Sequence, residues 1–347
     1  MENITIDYTF ANNTTDACFA PLLWNQSSAA RRYPRVYICS IAAVIHAIFW
    51  LQLALCASVR QSSMQWIYSY LVTDVLLIIR FFWNYIVRTQ TTDCNPSRAW
   101  VVFMCYFEAT VDNYLNIIEV YILLALNICR YIQIAYNQNV YRLYKKSLVL
   151  SHLGIYFGSL LILVVPYLFS WSVVNEYPKD RCETVYTNDY IQAFNMIFAF
   201  SLPILLNIGV IYLSVRHVNL VSGLQRGQHH LSARQKYHRT LVIQFLVFYI
   251  IWLSLWSPNI IIYQVTYSSP ELTATLRLVN YIEIAIDPFI LAALDVRFWQ
   301  AWKQTFLTTK NSLMSTRTRT VQGRVQPSTT APRVFSTRTG PAKTTGV

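Results

Sequence analysis

The sequence predicts an all-α membrane protein, a bundle of seven transmembrane helices with a short interfacial eighth helix, and three observations lead there. Of 347 residues, 54% are hydrophobic and 13% charged, too apolar for a soluble domain of this length. Seven windows meet the requirement of about 20 predominantly apolar residues per spanning helix: roughly 34–58, 66–88, 100–131, 147–170, 189–213, 238–264 and 274–294. None shows the alternation of a barrel strand, as "IAAVIHAIFWLQLALCA" illustrates.

Residues 1–33 read as an extracellular, glycosylated N-terminus. The sequons at Asn3, Asn12, Asn13 and Asn25 all precede the first span, and glycan acceptors belong on the luminal side. No charged-then-apolar leader precedes them, so the first span is expected to act as its own insertion signal. An odd number of spans puts the termini on opposite sides. With the N-terminus outside, 19 of the 28 Lys and Arg residues, from Arg60 to Lys343, face the cytoplasm against one acid, Asp295. That is the positive-inside pattern of a multi-pass plasma-membrane protein. The formal charge of +12 then reflects topology and contact with anionic lipids, and implies no nucleic-acid partner.

Residues 34–294 form the bundle, with short connections except at about 171–188 outside and 214–237 inside. Pro166, Pro203, Pro258 and Pro288 each remove a backbone donor and mark four spans for kinks. Over 295–307, Phe298, Trp302 and Phe306 recur at four-residue spacing with Arg297 and Lys303 off that face, as in a helix lying in the membrane interface. The cytoplasmic tail, 308–347, holds 11 Thr, 4 Ser, seven basic residues and no acid, a composition that predicts disorder. Phosphorylation of its hydroxyls would reverse the local charge and create a docking strip.

Seven cysteines divide by depth. Cys39, Cys56 and Cys129 fall within or at the base of spans, whereas Cys18, Cys94, Cys105 and Cys182 fall outside, where disulfides persist. A Cys105–Cys182 bridge would staple the long outer loop over the bundle mouth, leaving Cys18 with Cys94 as the remaining pairing.

Ionisable side chains at mid-bilayer cost roughly 2.5–3.5 kcal/mol each on insertion scales. On the third span Glu108, Asp112, Asn116, Glu119, Leu123, Leu126, Asn127 and Arg130 step by three or four residues and so share one stripe, predicted to face the bundle interior. His46, Asp74, Glu283 and Asp287 also lie near mid-span. With Glu119, these groups cannot all be charged alike in one low-dielectric core. Carboxylates are expected to be protonated, paired with His46, or bridged by a cation such as sodium. A purely structural hydrogen-bond network between helices is the alternative.

Taken together, these features resemble the rhodopsin-like (class A) G-protein-coupled receptors over about residues 34–307, as a divergent member. Cys129-Arg130-Tyr131 resembles the family's Asp/Glu-Arg-Tyr motif, and Cys105 and Cys182 fall where its bridging cysteines fall. Asp74 matches the second-helix aspartate, Trp256-Ser257-Pro258 resembles Cys-Trp-x-Pro, Asp287-Pro288 resembles Asn-Pro-x-x-Tyr, and Phe298 stands where the interfacial helix carries its aromatic. The resemblance implies a receptor rather than an enzyme, with a heterotrimeric G protein docking at Arg130 and Tyr131 and with kinases and arrestin at the tail. It also implies a sodium pocket around Asp74, made unusually acidic here by Glu119 and Glu283, with His46 in place of an asparagine.

The departures are specific. Cys129 replaces the acid that neutralises the arginine in relatives, and the foot of the sixth helix, "RQKYHR", is basic where an acidic partner is often found. High basal signalling follows as an expectation. Leu291 replaces a tyrosine, and Tyr212 stands one position from the usual fifth-helix tyrosine. For the ligand, Asp112 matches the position that binds protonated amines, and Tyr281 its supporting tyrosine; Glu108, Asn116, Trp256, Asn259 and Tyr263 complete the expected site. An amine, a basic peptide or another cationic ligand is therefore expected, unless Arg80 neutralises Glu108 or Asp112 from inside. Retinal is disfavoured, because the seventh span has no lysine. An ion-linked transporter is the reading from another class, and eight glycines with no internal repeat argue against it. A seven-helix receptor that binds ligand without coupling is the third.

Overall fold

The structure, a computed structural model, describes residues 24–56, 64–89, 97–136, 138–177, 181–224, 242–244, 246–258 and 270–294. The order is α1 (Gln26–Ala30), α2 (Tyr33–Leu55), α3 (Gln65–Thr89), α4 (Arg98–Ala135), α5 (Val140–Leu143), α6 (Lys145–Leu168), β1 (Ser172–Tyr177), β2 (Arg181–Tyr186), α7 (Asp189–Met196) and α8 (Leu202–Leu224). Helical residues 242–244 and 246–258 follow as α9, and α10 spans Pro270–Leu294. The predicted seven-helix bundle is what the chain forms. The interfacial helix expected at 295–307 and the tail lie outside the described residues.

Five stretches, Gln26–Leu55, Gln65–Thr89, Ala99–Ala135, Lys145–Leu168 and Asp189–Leu220, are long and apolar enough to cross a membrane, and Val242–Pro258 is a shorter apolar helix. In α10, Arg277, Glu283 and Asp287 lower the apolarity, and the two acids are buried. The bundle is polar inside and greasy outside. On α2, Ile41, Val44, Ile48, Leu51 and Leu55 are exposed, while Cys39, Ala42, His46 and Phe49 are buried. Such an outer face suits lipid, and helices then associate through close packing and internal hydrogen bonds rather than the hydrophobic effect.

At the centre runs α4, packed against α3, α6, α8 and β2, while α2 pairs with α10 and α3. Its N-terminus is fixed by Ser97, whose side chain accepts from the Trp100 N–H. Thirty-eight residues make it about 57 Å long at 1.5 Å per residue, well beyond a hydrocarbon core of about 30 Å. The helix is therefore longer than the hydrocarbon core it would cross.

Two findings differ from expectation. The connection at 171–188 is not loop alone: β1 and β2 pair antiparallel, Val174 opposite Thr184 and Glu176 opposite Cys182. β-Branched residues at Val173, Val174, Thr184 and Val185 favour the pleated conformation. In addition, α8 runs to Leu224 rather than ending near 213, because no proline or glycine lies between Gly209 and Gly223.

The hairpin is tied down. Cys105 of α4 and Cys182 of β2 form a disulfide with Cα atoms 5.2 Å apart, packed with Ala109 and Val174. Thr184 Oγ1 bonds Tyr167 Oη at 2.6 Å and donates to the Ala109 carbonyl at 3.3 Å. Between α6 and β1, Ser170 has φ 55°, with Ser170 N–H donating to Tyr167 and Trp171 N–H to Pro166. This is a Schellman-type cap with serine where glycine is usual.

Prolines leave carbonyls without helical donors. Ahead of Pro203 the helix widens into a π-turn, Ile197–Ser201, and Tyr121 Oη donates to the Phe198 carbonyl at 2.7 Å. In α10, Pro288 removes the donor for the Ile284 carbonyl, and His46 Nε2 of α2 lies 3.0 Å from that oxygen. His46 Nε2 therefore bonds backbone, and of the three states expected for the buried acids, pairing with His46 has no hydrogen bond among the described residues. In donating, the ring replaces the bond that Pro288 forfeits.

Candidate functional site

The interior stripe of α4 meets partners from several helices along its length. Nearest the hairpin, Glu108 forms an ion pair with Arg88 of α3, with side chains 11% and 2% exposed. One turn on, Arg80 donates to Asp112 Oδ1 at 2.6 Å and to the Glu108 carbonyl at 2.9 Å. Asn116 Nδ2 donates back to the Asp112 carbonyl at 2.7 Å, while its Oδ1 accepts from Trp256 Nε1 of α9 at 2.9 Å. Trp256 is fully buried, stacked on Trp252 at 4.7 Å. Further down, Asn127 Nδ2 donates to Asn207 Oδ1 of α8 at 2.7 Å. The column ends at Arg130, which donates to Gln133 Oε1 at 3.3 Å.

At the hairpin end, α2, α3, α4 and α10 with Trp24 border a partly open cleft lined by Arg32, Arg35, Arg80 and Arg277 together with Glu108 and Asp112. Tyr281 is buried in its wall, 5.2 Å from the Phe81 ring. Arg32 lies 4.2 Å from the Trp24 ring centroid, and the Trp24 N–H donates to the Arg88 carbonyl. The segment entering α2 is thereby fixed over the cleft.

Mid-bundle, Asp74, Glu119, Glu283 and Asp287 are each at most 1% exposed. Tyr70 Oη donates to Glu283 Oε1 at 2.8 Å and also bonds Asp287 Oδ2. The remaining six carboxylate oxygens have no partner of good hydrogen-bond geometry among the described residues. Among the described residues, no group of three His, Cys, Asp or Glu is placed to hold a metal ion.

At the opposite end, Cys129 is buried and Tyr131 half-buried. Tyr141 of α5 is buried beneath Arg130, and desolvation pushes its phenol well up, so it stays neutral at physiological pH. Tyr212 is exposed on the outer surface of α8, and Leu291 is buried.

The structure thus brings Glu108, Asp112 and Tyr281 to one cleft, bonds Asn116 to Trp256 deeper along α4, and gathers His46, Asp74, Glu119, Glu283 and Asp287 among buried residues of the interior. Asn259, Tyr263 and the sequons at Asn3, Asn12 and Asn13 lie outside the described residues; Asn25 is exposed and caps α1 by accepting from the Ser28 N–H. Sequence reasoning missed Arg88, Arg35 and Tyr70. Arg80, Asn84 and Arg88 at four-residue spacing on α3 were a legible signal for the first.

Comparison with known proteins agrees with this architecture. Residues 50–291 match the family described as 7 transmembrane receptor (rhodopsin family). The chain belongs to the rhodopsin family of seven-transmembrane receptors; it is a multi-pass membrane protein and not an enzyme. Its fold is similar to that of squid rhodopsin, with a TM-score of 0.62 at 14% identity, covering 84% of this chain and 83% of that one. No curated protein matches the sequence.

Proposed function

We propose that this receptor passes a signal from an extracellular ligand, bound in the hairpin-end cleft, to a heterotrimeric G protein at the Arg130 end. The observation that carries the reading is the α4 column. From Glu108 to Asn127 it is linked to α3, α9 and α8, and it joins the cleft to Arg130. A ligand that prefers one packing at the cleft then shifts the population of packings at the far end. The hairpin end is extracellular in this reading, with glycans on Asn3, Asn12, Asn13 and Asn25, and the tail meets kinases and arrestin in the cytoplasm.

Cys129 offers Arg130 no counter-charge, which supports a resting state with appreciable basal activity. The cationic-ligand expectation is weakened, since Asp112 and Glu108 already hold Arg80 and Arg88. Two measurements test the proposal. An epitope at residue 1 should be labelled on intact cells and one after residue 347 only after permeabilisation. In the same cells, ligand-free G-protein recruitment should be lost in Arg130→Ala. Recruitment unchanged by that substitution, or absent for every G-protein class, favours a receptor that binds without coupling.

A further inference from the structure

The strap that enters α2 is a compact unit in its own right. Asn25 Oδ1 accepts from the Ser28 N–H at 2.7 Å and from the Ser27 hydroxyl at 2.9 Å, which caps α1. Arg32 donates to the Ser28 carbonyl at 2.9 Å and Arg31 to the Ser28 hydroxyl at 3.0 Å, so the turn at Arg31 and Arg32 is folded back on the helix it follows. The Arg32 guanidinium also lies over the Trp24 ring, and the tryptophan is thereby carried with the strap. No other described element packs extensively against α1.

Trp24 fastens this unit to α3. Its N–H donates to the Arg88 carbonyl at 3.2 Å, the long end of the range for such a bond, and its ring meets the Tyr85 ring at a tilt, with centroids 5.9 Å apart. Both contacts are of the weak kind. Against them stands the indole Nε1–H, buried without an acceptor, a cost that lifting Trp24 into water removes. Trp24 lines the cleft together with Asn84 of α3 and Asn280 of α10. Those two asparagines are only 7% and 5% exposed while Trp24 is in place.

We propose that Trp24 and the strap behind it form a lid on the cleft, pivoting at the turn of Arg31 and Arg32 that joins α1 to α2, and that a ligand enters past the lifted tryptophan. This rests on reading the cleft as the receptor's ligand site, and it makes Trp24 the residue that sets how fast, and how large, a ligand is admitted. Fastenings of this strength put the lifted state at about 0.1–10% of the population. A group in the cleft lining is then reached through that minor state, and whatever loosens Trp24 raises access in proportion.

The test is the rate at which N-ethylmaleimide, a neutral thiol reagent, modifies a cysteine placed in the cleft of the purified full-length receptor. Asn280→Cys is the reporter, with Asn84→Cys as the second should the first fail to fold. The expected result is slow modification with Trp24 in place and a rate about tenfold higher or more when Trp24→Ala is added. Trp24→Phe, which keeps a ring against Tyr85, should fall between the two. Cys129, buried at the opposite end, is the internal control and should keep its rate. A reporter rate unmoved by Trp24→Ala, or a rise matched at Cys129, overturns the lid. Neither ligand nor G protein is present, so failure of the lid is read apart from failure of ligand binding or of coupling.

Discussion

At the hairpin end of α4, Glu108 and Asp112 each meet a guanidinium; two turns further along, Glu119 meets none. The same helix thus carries buried acids in two electrostatic settings. Near the cleft the attraction within each pair offsets the loss of hydration, and removing one partner strands the other. In the middle, Asp74, Glu119, Glu283 and Asp287 are sealed together with Tyr70 as the one hydroxyl bridging two of them. There an acid is a standing penalty, kept for something other than stability. The contrast predicts opposite signs for mutations that look alike on paper.

The largest effect is expected from Arg88→Met, which strands Glu108 and should lower stability by about 3–5 kcal/mol. Adding Glu108→Leu should recover most of that loss, and a double-mutant cycle on thermal unfolding checks the pairing. Glu119→Leu should act in the other direction, raising stability by about 1–4 kcal/mol, because an apolar side chain of similar volume replaces a buried acid that faces carboxyl groups and no counter-charge among the described residues. A fall in Tm would show that Glu119 is better compensated than its geometry indicates.

His46→Phe sharpens the same comparison on the backbone. It leaves the Ile284 carbonyl with no donor from either Pro288 or the imidazole, so a loss of about 1–3 kcal/mol is expected. The smallest effect belongs to Ser170→Gly. Glycine adopts φ 55° without strain, and the variant should gain about 0.5–1 kcal/mol in chemical unfolding.

Much of this was legible in the sequence, for identifiable reasons. Steps of three and four residues placed the Glu108-to-Arg130 stripe inward before any packing was known, and compartment and position pointed to Cys105 with Cys182. Partner choice was harder to read. Arg80 was recognisable as a counter-charge for either acid, but only packing assigns it to Asp112 and gives Glu108 to Arg88. His46 looked like a partner for acids because a bare sequence shows charges and not orphaned carbonyls. Counting four residues back from Pro288 reaches Ile284, the carbonyl that needed a donor. The gathering of Arg35, Arg181 and Arg277 at the hairpin end was the least legible, since they come from three elements distant in sequence.

Whether the two ends of the column belong to one signalling device is answered most directly by basal nucleotide exchange on a heterotrimeric G protein, measured with purified receptor. The account predicts the order wild type, then Cys129→Asp, then Arg130→Ala. The aspartate should lower the rate about fivefold, by roughly 1 kcal/mol of added bias toward the resting state, and the alanine should abolish it. Equal rates for all three would contradict the role given to Arg130.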